Sequence, residues 1–254
     1  MTVSSTSRVV WALGLFALWT FATWWFEGRI NTLARPAAVI DRLVYTSVAN
    51  ILIGVVVAVV LLRLLTRDEP AGRALAGFSS WRRTALWAPL GLIAGLGLYV
   101  LQGAPSTDPV VLLNAYSQVF VVSMAEVIVC WSVVAAMIAF SIDASKWIAL
   151  PVAAIAASLL FGIYHFAHSA PFNTMGMVAF LSVIGLLTSL VFFASRDVYA
   201  TILFHNSLGT FGVVQALAAQ DNLAAFTSVQ WPLIGTAFFA LLALIVVDRT
   251  ARSP

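Results

Sequence analysis

Glu126, His165, His168 and His205 are ionisable side chains set within or at the ends of long apolar runs, and the three histidines are the only ones in the chain. A chargeable group at membrane depth is costly, so it points to function. Glu126 is the acidic residue placed deep within such a run. A carboxylate in an apolar, partly wet pocket can act as general base toward water. A neighbouring imidazole can orient that water or pass on its proton, and a third polar group can donate to the oxyanion formed when water attacks an amide. Glu126, His165 and His205 meet these three needs without a metal or a covalent intermediate. Zinc also accepts His and carboxylate ligands, but no HExxH or comparably tight spacing is present, so the expected cofactor is none.

Each residue also has a structural alternative. A buried Glu or His can bridge neighbouring helices in neutral form. Phe161 and His165 are four apart and share a helix face, so Phe161 is core unless it packs beside a catalytic His165. His168, three residues further on, lies one turn nearer the membrane edge, where an interfacial role suits it better than chemistry. Asn206, Ser207 and Asn114 fit interhelical hydrogen bonding. Cys130, the only cysteine, fits packing and can form no internal disulfide.

The elements that must position these residues follow from composition. The 254 residues are 62% hydrophobic and 9% charged, with mean hydropathy +1.01. Soluble domains carry about 25% charged residues, so the solvent of this chain is lipid. No basic patch suggests nucleic acid. Apolar runs at 9–26, 44–65, 86–101, 110–140, 147–168, 174–193, 198–218 and 232–247 predict eight transmembrane helices. The first is expected to be a retained helix, since it is longer than a signal core and ends in Trp24-Trp25-Phe26-Glu27 without a small-residue cleavage site. Residues 28–43, with Pro36, form a connector. Arg67-Asp68-Glu69-Pro70, Arg73 and Trp81-Arg82-Arg83 form the most basic loop.

Ten of the thirteen Lys/Arg fall on the side of the termini: Arg8, Arg63, Arg67, Arg73, Arg82, Arg83, Lys146, Arg196, Arg249 and Arg252. Arg29, Arg35 and Arg42 fall on the other. The positive-inside rule then places both termini in the cytoplasm of a multi-pass cell-membrane protein. The chain divides into an N-terminal three-helix region (1–109), a core (110–218) and a final loop, helix and short tail (219–254), within one membrane domain.

The core resembles the CAAX-protease and bacteriocin-processing (CPBP, or Abi) family of intramembrane glutamic peptidases. Those proteins carry EExxxR, FxxxH and HxxxN motifs in order. Phe161-Gly162-Ile163-Tyr164-His165 matches the second motif. Glu126 and His205 stand 39 residues before and 40 after His165. The span containing Gly185 and the link Ser195-Arg196-Asp197 also look like the family. The resemblance covers roughly residues 110–214. The first motif keeps one Glu and lacks the Arg, whose place is taken by Cys130 or Trp131. Gly209 stands where the third motif has Asn, and Asn206 is about 100° round the helix from His205.

The resemblance implies a CPBP-type bundle that hydrolyses a membrane-associated peptide or protein without metal. Glu126 would be the base, His165 its partner and His205 an oxyanion donor, supported by Phe161, Asn206 and His168. The missing motif residues keep open a catalytically impaired scaffold or immunity-type interaction protein, and third, a small transporter with a Glu/His proton relay. Oligomeric state is not encoded in any motif. On ideal straight helices, Glu126 lies about 21 Å, His165 about 27 Å and His205 about 10 Å from the cytoplasmic ends. Convergence therefore requires a break or tilt, expected in the overlong fourth span and at Gly185.

Overall fold

The computed structural model describes residues 4–32, 35, 38–67, 69 and 74–252. Pro36, Asp68, Pro70 and Arg73, on which the connector and basic-loop readings partly rest, lie outside the described residues. The chain is an all-α polytopic membrane protein. Among the described residues, eight helices are long and apolar enough to cross a bilayer: α1 (Ser5–Gly28), α2 (Val39–Thr66), α3 (Trp81–Leu101), α4 (Pro109–Ser141), α5 (Lys146–Ala167), α6 (Met175–Ser195), α7 (Val198–Ala219) and α8 (Trp231–Arg249). They alternate in direction. At the face that holds the N-terminus, Ser141 of α4 bonds the Ser5 carbonyl of α1. At the opposite face, Asn114 of α4 bonds the Phe226 and Ser228 carbonyls before α8.

α4 is the axis of the bundle. Its most apolar stretch is 94% buried, whereas no other span exceeds 44%. The outer helices turn large apolar side chains such as Leu101, Leu190 and Ile93 outward, as helices facing lipid must. α1 and α2 pack directly on α4, so the N-terminal region and the core share one interior.

Three features bring residues of different nominal depth to one level. First, α4 widens into π-type turns over Val127–Ala135, directly after Glu126. Wide turns advance less per residue, which draws Glu126 toward the helix end, and such distortions recur at functional sites. This is the irregularity expected of the overlong span. Gly185 does not supply a second one: it lies in an unbroken helix. There a Cβ would come 2.9 Å from Ser158 Cα, so the glycine serves close packing of α6 on α5.

Second, the start of α7 is covered by protein. Ser195, Asp197 and Val198 are fully buried. Arg196 takes a left-handed conformation (φ 47°, ψ 40°) that reverses the chain in one residue. The segment before α3 folds inward beneath it, with Val198 donating to the Gly77 carbonyl at 2.8 Å. Asp197 caps α7 through the Ala200 amide and accepts from Ser79 and Thr84 at 2.5 and 2.6 Å. This recess raises His205 above its straight-helix depth. It also corrects the basic loop: Trp81, Arg82 and Arg83 form the first turn of α3, capped by Ser80, and Arg83 bonds the last carbonyls of α6.

Third, α5 ends within the protein. His165–Ala167 tighten into a 3-10 turn, and His168 and Ser169 are buried beyond it.

Asp197 thus sets the level of α7. Asp197→Ala removes a cap worth about 1 kcal/mol and orphans the buried Thr84 hydroxyl and the half-buried Ser79 hydroxyl, so it is expected to destabilise the protein by about 2–4 kcal/mol. Unfolding in mixed micelles measures this. A loss within about 0.5 kcal/mol, typical of a surface site, would contradict the assigned role.

Candidate active site

Glu126 lies at the first wide turn of α4, with its carboxylate between two histidines. Oε2 is 3.0 Å from His205 Nε2 on α7. Oε1 is 3.7 Å from His165 Nε2 on α5, a gap that one water hydrogen-bonded to both atoms can span. Glu126, His165 and His205 are all buried. The three residues that straight helices would separate therefore meet.

Hydrogen-bond partners fix the histidines. His165 Nδ1 lies 2.8 Å from the Phe161 carbonyl. A carbonyl only accepts, so Nδ1 carries the proton and Nε2 presents its lone pair to Glu126 when the ring is neutral. His205 Nδ1 lies 2.9 Å from Thr188 Oγ1. That hydroxyl donates its single proton to the Ile184 carbonyl and so accepts from the ring. His205 Nε2 and Glu126 Oε2 therefore share one proton, as acid and imidazole or as carboxylate and imidazolium.

Phe161 is 2% exposed and sets its ring across both histidines, with centroids 4.7 Å from His165 and 5.0 Å from His205. It holds the rings in place rather than merely filling core. Trp131 packs on both Phe161 and His205, with centroids 5.3 and 5.4 Å away, and is anchored to Ser189.

Two expectations are corrected here. Both nitrogens of His205 are engaged, by Thr188 and Glu126, so His205 holds the carboxylate rather than offering a free N–H to an oxyanion. Asn206 does not reach Glu126: it donates to the Tyr116 carbonyl of α4 at 3.1 Å, an interhelical bond.

His168 is not interfacial. It is 6% exposed and bonds through Nδ1 to Glu27 Oε2 at 3.1 Å. Glu27, at the end of α1, is fully buried and also accepts from the Ser169 amide and hydroxyl. Glu126 is thus not the sole deep acid among the described residues; Asp248, bonded by Tyr199, is buried too. Glu27 escapes sequence reasoning because it ends an aromatic helix terminus, where an exposed polar flank is the ordinary expectation. The signal available was that a third histidine, three residues beyond His165, needed a partner.

Behind the site, Tyr164 stacks on Trp19 with centroids 3.8 Å apart and reaches Thr23 through its hydroxyl. This ties α5 to α1 and sets the height of both ends.

The site forms the floor of a cavity of about 650 Å³, lined by Glu126, Phe161, His165, His168 and His205. The walls are mainly apolar. They run toward Arg42, Gln102 and Trp231, at the face opposite the termini. A donor atom from each of Glu126, His165 and His168 lies within 4.8 Å of the others. Two of these groups, His165 and His168, are three residues apart in the sequence, and Glu126 comes from a different helix.

No family model, curated protein or solved structure matches this chain.

If Glu27 and His168 act as one unit, a double-mutant cycle of Glu27→Ala and His168→Ala is expected to give a coupling energy of about 0.5–3 kcal/mol in unfolding. Simple additivity would mean that the pair is not coupled.

Proposed function

We propose that this protein is an intramembrane endopeptidase of the CPBP type that hydrolyses a peptide bond with water activated by Glu126. The observation that carries this reading is the Glu126 carboxylate held by His205 at 3.0 Å and faced by His165 at 3.7 Å, on the floor of an apolar cavity.

In this reading, water sits between Glu126 Oε1 and His165 Nε2. Glu126 takes one proton as the water oxygen adds to the scissile carbonyl carbon. When the C–N bond breaks, Glu126 returns that proton to the leaving amine. His205 keeps the carboxylate aimed, and Phe161 keeps both imidazoles in register. The substrate is a membrane-embedded or membrane-bound peptide, since only an apolar segment gains by entering these walls.

A specific observation favours a second reading. With His205 engaged and Asn206 bonded to the Tyr116 carbonyl, the third motif supplies no free oxyanion donor, as in a relative that keeps the bundle as an interaction scaffold with impaired chemistry. The transporter reading finds less support. On the other side of Glu126, Val127, Ile128, Val129, Cys130, Val133 and Val134 are fully buried and apolar, and Ser132 is the one hydroxyl that a relay would find in this stretch of α4.

Orientation belongs to the same proposal. With the termini cytoplasmic, the cavity opens toward the exoplasmic face, which favours a substrate entering from outside or from the outer leaflet over a cytoplasmic prenylated tail.

Glu126→Gln is near-isosteric and is expected to lower cleavage of membrane peptides in proteoliposomes by about 10²–10⁴-fold, the usual worth of a general base, with unfolding little changed. Full cleavage by the variant would overturn Glu126 as base, and full biological effect in cells without cleavage would favour the scaffold reading. A C-terminal fluorescent-protein fusion is expected to fluoresce and a C-terminal alkaline phosphatase fusion to be inactive; the reverse pattern would invert the orientation.

A further inference from the structure

We infer that Glu126, His165 and His168 form a binding site for one divalent transition-metal ion, best suited to zinc, with Glu27 as its outer carboxylate. The inference rests on geometry alone and goes beyond the hydrolase reading, which needs no ion.

The first observation is convergence. One donor atom from each of the three residues lies within 4.8 Å of the others, and all three side chains are buried. Ligands of a tetrahedral zinc ion sit about 3.4 Å apart, given bond lengths of about 2.0–2.1 Å. The Glu126–His165 pair, at 3.7 Å, is already near that spacing. Glu126 and His168 have only to draw in modestly.

The second observation is an orphan. His168 Nε2 is buried and has no hydrogen-bond partner, although its ring lines the cavity floor. A buried nitrogen without a partner is expensive. Because Nδ1 is committed to Glu27 at 3.1 Å, Nε2 is the nitrogen left to ligate.

The third observation is the outer arrangement. Imidazoles that bind metal through one nitrogen hold the other N–H on a carboxylate or a backbone carbonyl, which fixes tautomer and ring direction. His168 does this with Glu27, itself anchored by Ser169, and His165 does it with the Phe161 carbonyl. Both Nε2 lone pairs are thereby presented without a ligand-induced change of tautomer.

Charge fits as well. Glu126 and Glu27 bring two carboxylates to a divalent ion while His165 and His168 stay neutral, the proton shared with Glu126 then resting on His205. Two His and one carboxylate with a position open to the cavity match the composition of catalytic rather than structural zinc sites. An ion held by Glu126 and His165 takes the place that the hydrolase reading gives to water, so the two occupants are alternatives at the same gap.

The test uses full-length protein purified in detergent, stripped with chelator and titrated with Co²⁺ as a spectroscopic probe, with Zn²⁺ as competitor. About one equivalent is expected to bind, with tetrahedral d–d absorption that Zn²⁺ abolishes. His165→Ala and His168→Ala are each expected to weaken binding more than about 100-fold. Glu27→Gln keeps the side-chain shape and is expected to weaken it about 10–100-fold; it carries the test should an Ala variant fail to fold. Failure of the wild type to bind stoichiometrically overturns the inference, as does binding unaffected by these substitutions. No peptide enters the measurement, so failure of the hydrolase reading and failure of this one are seen separately.

Discussion

The constraint on which the rest of this structure depends is that a carboxylate placed midway along the most buried helix must find partners inside the protein. Glu126 has no route to bulk water except through the cavity, and no Lys or Arg of the described residues is hydrogen-bonded to it. Burying it without compensation would cost several kcal/mol. The chain meets that cost by moving helix ends rather than by adding polar residues. Wide turns in α4 shift Glu126 along the axis. The buried Asp197 cap sinks the start of α7 and brings His205 level with it. The early end of α5 leaves His165 and His168 at the same height. Each adjustment leaves backbone groups inside the protein, and each is met locally: by the Gly77 carbonyl, by Arg83 on the carbonyls ending α6, and by Glu27 on the Ser169 amide.

These end effects explain what was legible in the sequence. The eight spans stood out because hydropathy over about twenty residues is a strong signal, and their observed bounds differ from it mainly by extensions such as Trp81–Ala85 and Val39–Leu43. The set Glu126, His165 and His205 stood out because polar residues are scarce at depth. Their convergence did not, since rise per residue assumes that every helix begins at the membrane surface. Nothing in Ser195-Arg196-Asp197 announces a buried turn: charged residues between apolar runs ordinarily mark water. Only the three-dimensional neighbours of Asp197, namely Ser79 and Thr84 from more than a hundred residues earlier, make the burial tolerable.

Glu27 was hidden by the same rule from the other end of the helix. An acid after Trp24-Trp25-Phe26 has the pattern of an exposed helix flank, and Trp24 and Trp25 are indeed exposed. The π-type turns over Trp24–Gly28 rotate Glu27 inward, away from that surface. Gly28 lets α1 approach the α5 end so closely that a Cβ there would collide with the Ala167 carbonyl. The contact between α1 and α5 is therefore as much a condition for the site as the match at Phe161 and His165.

One pattern links the histidines beyond their proximity. Each holds its Nδ1 proton on a different acceptor: the Phe161 carbonyl, the Glu27 carboxylate and the Thr188 hydroxyl. These acceptors come from a helix backbone, a distant helix end and a neighbouring helix face, and they turn Nε2 toward Glu126 at His205 and His165 and leave it without a partner at His168. Around one carboxylate that makes a collection of lone pairs with few protons between them. Such a collection repels itself unless something electrophilic stands among its members: a shared proton, a water that donates to two of them, or a cation. The Glu126–His205 contact is the first of these, and the 3.7 Å gap to His165 suits the second. The unpartnered His168 Nε2 is accounted for by neither, which is why the arrangement points past a simple Glu/His dyad.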